Sequence, residues 1–530
     1  MPQSETNMNA GASPKKQAQI AIAQDTATVL RQHPAVSDAA ACSLSPDRNC
    51  VVAFVVPGDS YIDNVLGRKE AATSQIRKWR KTYDLTQLTK AAAASPFGFN
   101  ICGWNSSYTR QPLPQEDMSE WVQTTVERVS ALAPTEVLEV GCGTGLLLLR
   151  LAPACKRYVG VDFAPSVLKR VREQLAQHEE LLGKVDLLER SAENFEGFAE
   201  NSFSTVIVNS VAQHFPSRAY LDRVIENAVR VVRPGGHVFI GDQRNLLLLE
   251  AYAASVEAFQ ATPDVNVTEL RNRIDTRIQQ EQQLVLSPSY FLSLQRRLPK
   301  ISRVEIYPRR GHRDNEMTRF RFDAVLWTGP QSGPSFEIPF LDAPAQGWNL
   351  ANIRSQLATW KPDRIGFARI PNSRLAQDIH FLAQLASTSP QQVFSELHAN
   401  LTEDEGIHPE EVFRLATETG YRATISWASC HAEGSYDVAF IRQGSPHDCA
   451  FPQIRWPQSN RAGSVFYSNA PGQSEIREKL MLELLTYCHA KLQDAGASSI
   501  HLVDSVPRTE GGSVDFEALL SATQMSGRCS

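Results

Sequence analysis

One loop, Gly141-Cys142-Gly143-Thr144-Gly145, restricts this chain more than any other segment. It follows the apolar run EVLEV (136–140) and precedes the run LLLL (146–149), so it reads as a turn from a buried strand into a helix. Glycine belongs where a backbone must turn sharply or approach a ligand more closely than a Cβ allows. The β-branched or apolar runs YVGVD (158–162), VDLLE (185–189), TVIVNS (205–210) and HVFIGD (237–242) follow, alternating with helical patterns such as SVLKRVREQLAQHEELL (166–182). That alternation predicts an α/β fold, a layered and mainly parallel sheet. The stretch RFRFDAVLW (319–327) alternates with period two and predicts an antiparallel closing hairpin.

The glycine spacing is G-x-G-x-G, with Leu146 where a dinucleotide binder carries its last glycine or alanine. A dehydrogenase is excluded on that ground. Asp162 ends the next strand, 21 residues beyond Gly141, where a carboxylate can accept hydrogen bonds from both hydroxyls of a ribose. A glycine loop with a ribose acid but no pyrophosphate cradle points to a class I Rossmann-like methyltransferase using S-adenosyl-L-methionine. The candidate cofactor residues are Glu139, Gly141, Cys142, Gly143, Gly145, Asp162 and Phe163, with Ala192 and Glu193 at the adenine ring and Asn209 at the next strand end.

The fourth strand ends in NSVAQHFP (209–216), where a doubly wound sheet opens its ligand crevice. Asn209, Gln213 and His214 are therefore candidates to face the methyl group, His214 as the base for an amine acceptor. The stretch RRGHRDNEMTRFRFD (309–323) concentrates charge beside a predicted strand. There Asn315 and Glu316 are candidates to orient an amino or hydroxyl group, and Arg319 and Tyr108 are further candidate substrate contacts. No metal is expected.

With 530 residues the chain exceeds one ordinary core, so several domains are expected. The net charge is -5 and no block of five like charges occurs, which excludes a strong nucleic-acid or anionic-membrane footprint. The longest apolar runs fall far short of the roughly 18 residues of a membrane span. Nine cysteines lie scattered without a Cys-x-x-Cys pair. This argues against a zinc ribbon and a disulfide framework and predicts a reducing, cytoplasmic compartment.

The strings GWNSSYTRQPLP (103–114), VLEVGCGTGLLL (137–148), NSVAQHFP, GDQRNLLLLEAYAASV (241–256) and NEMTRFRFD (315–323) together resemble the methyltransferase domains embedded in nonribosomal peptide synthetases. The flanks LRQHPAVSDAAA (30–41) and VVAFVVPG (51–58), with ELLTYCHAKLQ (483–493) and VPRTEGGSVDFEALL (506–520), resemble the start and finish of an adenylation domain's small C-terminal subdomain. The resemblance implies a tail at 1–17, a first subdomain part at 18–97, a methyltransferase core at 98–330, its extension at 331–470 and a second subdomain part at 471–530. Ser513 stands where the adenylation motif carries its lysine, so no adenylation is expected of these residues. The implied acceptor is an amino acid or an aminoacyl carrier protein, with synthetase modules as partners in trans and nitrogen as the acceptor atom. Transfer to oxygen or sulfur of a free amino acid or small metabolite stays open, as does a non-catalytic interaction module.

Overall fold

The computed structural model describes residues 14–45, 50–58, 69–87, 96–330, 335–342, 347–395, 406–449, 452–457, 467–469, 471, 473–492, 496–503, 505–509 and 512–522. They fall into two compact units, residues 1–72 with 472–530 and residues 73–471. Of the expected tail, residues 1–13 lie outside the described residues, and the first helix already begins at Pro14.

In the smaller unit the helix Pro14–Arg31 precedes strands β1 (Val36–Ser45) and β2 (Cys50–Pro57), which pair antiparallel. A strand from the far end of the chain, Ser499–Leu502, adds parallel to β2. Leu30, Ala53 and Val55 pack with Leu480, Leu484 and Cys488 of the helix Gln473–Leu492, so the two ends of the chain bury one apolar core. Seven cysteines among the described residues are free thiols, but Cys42 is disulfide-bonded, which the expectation of a reducing compartment did not foresee.

The larger unit holds the strands expected of an α/β fold: β3 (Glu136–Val140), β4 (Arg157–Asp162), β5 (Val185–Glu189), β6 (Phe203–Asn209), β7 (Val232–Arg244), β8 (Ile301–Pro308) and β9 (Arg321–Thr328). They form one seven-stranded sheet in the order β5-β4-β3-β6-β7-β9-β8, parallel from β5 to β7 and antiparallel at β9 and β8. All seven residues of β6 are buried, as a central strand covered on both faces requires, whereas the edge strand β5 is half exposed. The order reverses at β3, with β4 on one side and β6 on the other, which opens a crevice at the carboxyl ends of these strands.

The expected helix 166–182 stops sooner, at Leu175, and a short turn Glu179–Leu181 follows. Gly183, at φ +84°, then swings the chain back toward β5. Beyond residue 335 a four-stranded sheet of Phe340–Asp342, Arg364–Ile370, Tyr436–Arg442 and Tyr421–Ser426 shares a single apolar core with the main sheet through Phe367, Tyr436 and Phe440. Among the described residues no helix is long and apolar enough to cross a membrane.

Candidate active site

Each glycine of the loop answers a different demand. Gly141 has φ +74°, and a Cβ there would stand 2.4 Å from a methyl of Val211, so that strand end leaves room for glycine alone. Gly143 has φ +50° and a Cβ on it would meet nothing within 4 Å, because it faces an open cavity. Gly145 lies behind the loop against Val171 and is not part of the cavity wall. The amides of Gly141 and Cys142 both donate to the carbonyl of Val161 (2.7 and 3.0 Å), tying the loop to β4.

Asp162 completes the loop from the end of β4. Its Oδ2 accepts from the Gly143 amide at 3.0 Å and its Oδ1 from the Ala164 amide at 2.9 Å. A carboxylate has about four acceptor sites, so both oxygens keep capacity for a ligand. Burial raises the Asp162 pKa, opposed by these amide bonds. Glu139, one strand over, accepts from the Tyr158 hydroxyl at 2.8 Å, and burial pushes its pKa up to about 8. Burial also pushes the Cys142 thiol well above its ordinary value.

These groups wall a cavity of about 140 Å³. Glu139, Gly141, Cys142, Gly143, Asp162, Phe163, Ala192, Asn209 and His214 line it, while Glu193 turns outward to an ion pair with Arg223 at 2.9 Å. Asn209 Oδ1 is buried there without a hydrogen-bond partner among the described residues.

A second cavity, of about 250 Å³, adjoins the first and shares Trp79, Cys102, Trp104, Ser210 and His214 with it. Gln213 and Glu316 line only the second. Gln213 Nε2 donates to Ser210 Oγ at 2.9 Å, and its buried Oε1 has no partner among the described residues. Glu316, 5% exposed, accepts the Ser107 amide on Oε1 at 2.9 Å. The His214 ring packs against Trp79, tilted by 58° with centroids 4.3 Å apart, and loss of water together with the charge of Arg321 lowers its pKa to about 4. It is therefore neutral at physiological pH.

Three candidate substrate contacts lie outside both walls. Asn315 caps the helix Glu316–Arg319 and donates from Nδ2 to Asp117 at 3.0 Å. Arg319 is held by Asp378 and by the carbonyl of Arg374. Tyr108 bonds to Ser255 at 2.8 Å, and burial pushes its hydroxyl up to about 12.

Conversely, Trp79, Ser210, Arg244, Tyr252 and Arg321 enter the walls without having been candidates. Trp104 was legible only as part of the GWNSSYTRQPLP string, and Trp79, on the polar helix Lys69–Gln87, carried no signal at all. Ser210 has φ +55°, a strained conformation for a residue with a Cβ, at the point where the cavities meet.

Residues 138–240 match the methyltransferase domain family. Over 514 residues, 94% of this chain, the sequence is 34% identical to chondramide synthase cmdD of Chondromyces crocatus and spans 13% of that protein. The chain carries a methyltransferase domain and is similar, over nearly its whole length, to a segment of a nonribosomal peptide synthetase. The methyltransferase is also 26% identical over 531 residues to cyclosporin synthetase simA of Tolypocladium inflatum, covering 94% of the chain and 3% of that protein. It thus spans a small fraction of both relatives. Among solved structures, the methyltransferase domain of bacterial CtHen1 aligns with 40% of this chain and 99% of its own at 20% identity and a TM-score of 0.30.

The cofactor of the methyltransferase is S-adenosyl-L-methionine, and the first cavity fits it. Its wall sets two buried carboxyls, Glu139 and Asp162, toward a ligand that is cationic at its sulfonium and amino groups. The bare backbone at Gly143 leaves a cradle that a Cβ would fill.

Proposed function

We propose that the chain methylates the α-amine of an amino acid or aminoacyl group. The observation that carries this reading is the polarity of the second cavity beside Ser210 and His214, two of the five residues common to both walls. S-adenosyl-L-methionine supplies an electrophilic methyl group carried on a sulfonium.

The acceptor atom follows from counting protons. Gln213 Oε1 is a buried acceptor without a partner among the described residues, and Glu316 keeps one oxygen after the Ser107 amide has taken the other. A neutral amine brings two N–H donors and satisfies both, whereas a hydroxyl brings one and leaves a buried acceptor unmet. Nitrogen is favoured for that reason.

An amine must be uncharged to attack, and the aromatic walls of Trp79 and Trp104 disfavour an ammonium by desolvation. His214, neutral with a pKa near 4, accepts a hydrogen bond but does not retain a proton at neutral pH. Its part is to orient the acceptor, and the proton leaves the site on the methylated ammonium product, which loses it to solvent after release. The same walls exclude water and hold the nitrogen in line.

Mass spectrometry after incubation with S-adenosyl-L-methionine tests this, using free amino acids in one set and aminoacyl carrier proteins in another. A gain of one methylene mass, located on nitrogen by fragmentation, is the expected result. A methyl on oxygen or sulfur overturns the choice of atom, and no transfer to either set overturns the acceptor class.

A further inference from the structure

One buried carboxylate is bonded to the walls of both cavities. Strand β7 loses its register with β9 between Ile240 and Gln243, and inside that bulge Asp242 adopts φ +62°. A bulge re-aims a side chain, and a residue with a Cβ keeps such an angle only where its surroundings hold it there. Asp242 is fully buried, and its two oxygens serve two different partners. Oδ1 accepts from Trp121 Nε1 at 3.1 Å and Oδ2 from Arg321 Nη1 at 2.7 Å. Trp121 lines the first cavity and not the second, whereas Arg321 lines the second and not the first.

The bulge is anchored on both sides. The Asp242 amide donates to Asp323 Oδ1 at 2.8 Å, and Asp323 is itself held by Arg309 and Arg128. On the other side the Gly241 carbonyl accepts from the amide of Ser210 at 3.1 Å, where the cavities meet. A Cβ on Gly241 would stand 2.1 Å from Asn209 Oδ1, so the bulge is pressed against the first wall there as well. Trp121 carries the constraint further, since its ring lies 4.9 Å from that of Trp104, which belongs to both walls.

In-line transfer depends on the relative placement of two ligands held by two walls, and a misplacement of about 1 Å can cost about 100-fold in rate. Each cavity can bind its own ligand well while the line between them is wrong. Resting on the reading of the second cavity as the acceptor's, we propose that Asp242 is a positioning residue for methyl transfer, holding the cofactor wall at Trp121 in register with the acceptor wall at Arg321. Asp242 lies in neither wall and acts through these two partners. A carboxylate suits this task because both of its oxygens accept, whereas a side-chain amide presents one acceptor and one donor.

The test uses the full chain. Asp242→Asn fits the same backbone angle, which asparagine tolerates, but can accept from one wall residue only. Its kcat should fall about 10- to 100-fold. The acceptor KM, and the calorimetric affinity for S-adenosyl-L-homocysteine, should stay within about threefold of the parent. A parent-like kcat makes Asp242 a framework residue and overturns the proposal, and so does a loss confined to KM or to cofactor affinity. If Asp242→Asn does not fold, Trp121→Phe keeps the ring, drops only the N–H and should show the same split with a smaller fall in kcat. A parent-like kcat in that variant overturns the proposal too.

A second readout needs no acceptor. Nuclear magnetic resonance of the side-chain N–H groups follows Trp121 and Arg321, assigned with Trp121→Phe and Arg321→Lys. Added S-adenosyl-L-homocysteine should shift both signals in the parent, although Arg321 is not in the first wall. In Asp242→Asn the Arg321 response should vanish. An Arg321 signal that ignores the cofactor product in the parent, or still responds in the variant, overturns the proposal. A parent that shows the response yet methylates neither free amino acids nor aminoacyl carrier proteins brings down the amine reading and supports the role of Asp242.

Discussion

The two adjoining cavities are built on opposite plans. The first draws most of its wall from one stretch of chain, residues 139 to 220, in which each strand end adds its polar group in order. Asp162 there is already bonded to the loop it shapes. The second collects residues from 79 to 321 and leaves Gln213 Oε1 and Arg244 Nη2 without a hydrogen-bond partner among the described residues. A site for an invariant cofactor can be stiffened by its own hydrogen bonds, whereas a site for an acceptor keeps its bonding capacity for the arriving molecule.

If that contrast is sound, the two cavities should be separable by substitution. The largest effect is expected of Gly143→Val, which puts a β-branched residue at positive φ with its bulk in the first cavity. Cofactor affinity by calorimetry should fall about 100-fold or more while the protein stays folded, since no protein atom is displaced. Parent-like binding would break the comparison outright.

Asp162→Ala comes next. It removes the acceptor of two amides and should weaken cofactor binding by about 10- to 100-fold, with the KM of the methyl acceptor unchanged. Gln213→Leu is the mirror experiment: acceptor kcat/KM should fall about tenfold while cofactor affinity holds. A loss of cofactor binding in that variant would mean that the two cavities act as one.

The smallest effects concern pH and sharpen the electrostatic side of the contrast. Glu139, with its pKa near 8, is largely protonated at pH 7, and a cationic ligand favours its ionised form. Cofactor binding should therefore release protons and tighten as pH rises from 7 through 8, measurable by calorimetry in buffers of different ionisation heat. Glu139→Gln should abolish the release.

His214 behaves oppositely. Between its ordinary pKa of 6.5 and the folded value near 4, the unfolded chain binds a proton that the folded chain refuses, so stability falls as pH drops through that window. His214→Ala should flatten this part of the stability profile and leave the rate profile near pH 7 without a changed inflection.

Much of the fold was legible because buried parallel strands announce themselves. EVLEV, YVGVD and VDLLE coincide with β3, β4 and β5 to within a residue, and the alternation in RFRFDAVLW marks the antiparallel β9. What was not legible turned on side-chain direction. Asn315 and Glu316 are neighbours at a helix start, yet one, with extended backbone, turns its side chain back to cap the helix while the other lines the second cavity. Ala192 and Glu193, in a turn, also part, one into the first wall and one out to Arg223. Trp79 lay on a helix whose charged, polar composition gave no reason to seek a wall residue, and Arg244 looked like an ordinary strand-end cation.

The sequence by itself determined the parallel sheet, its turning loop and the acid beyond it, since each depends on contacts between residues close along the chain and on the backbone freedom of glycine. Which residues wall the second cavity was decided only by tertiary structure. That chamber exists where segments more than two hundred residues apart converge, and its character lies in bonds left unmade, which no local pattern records.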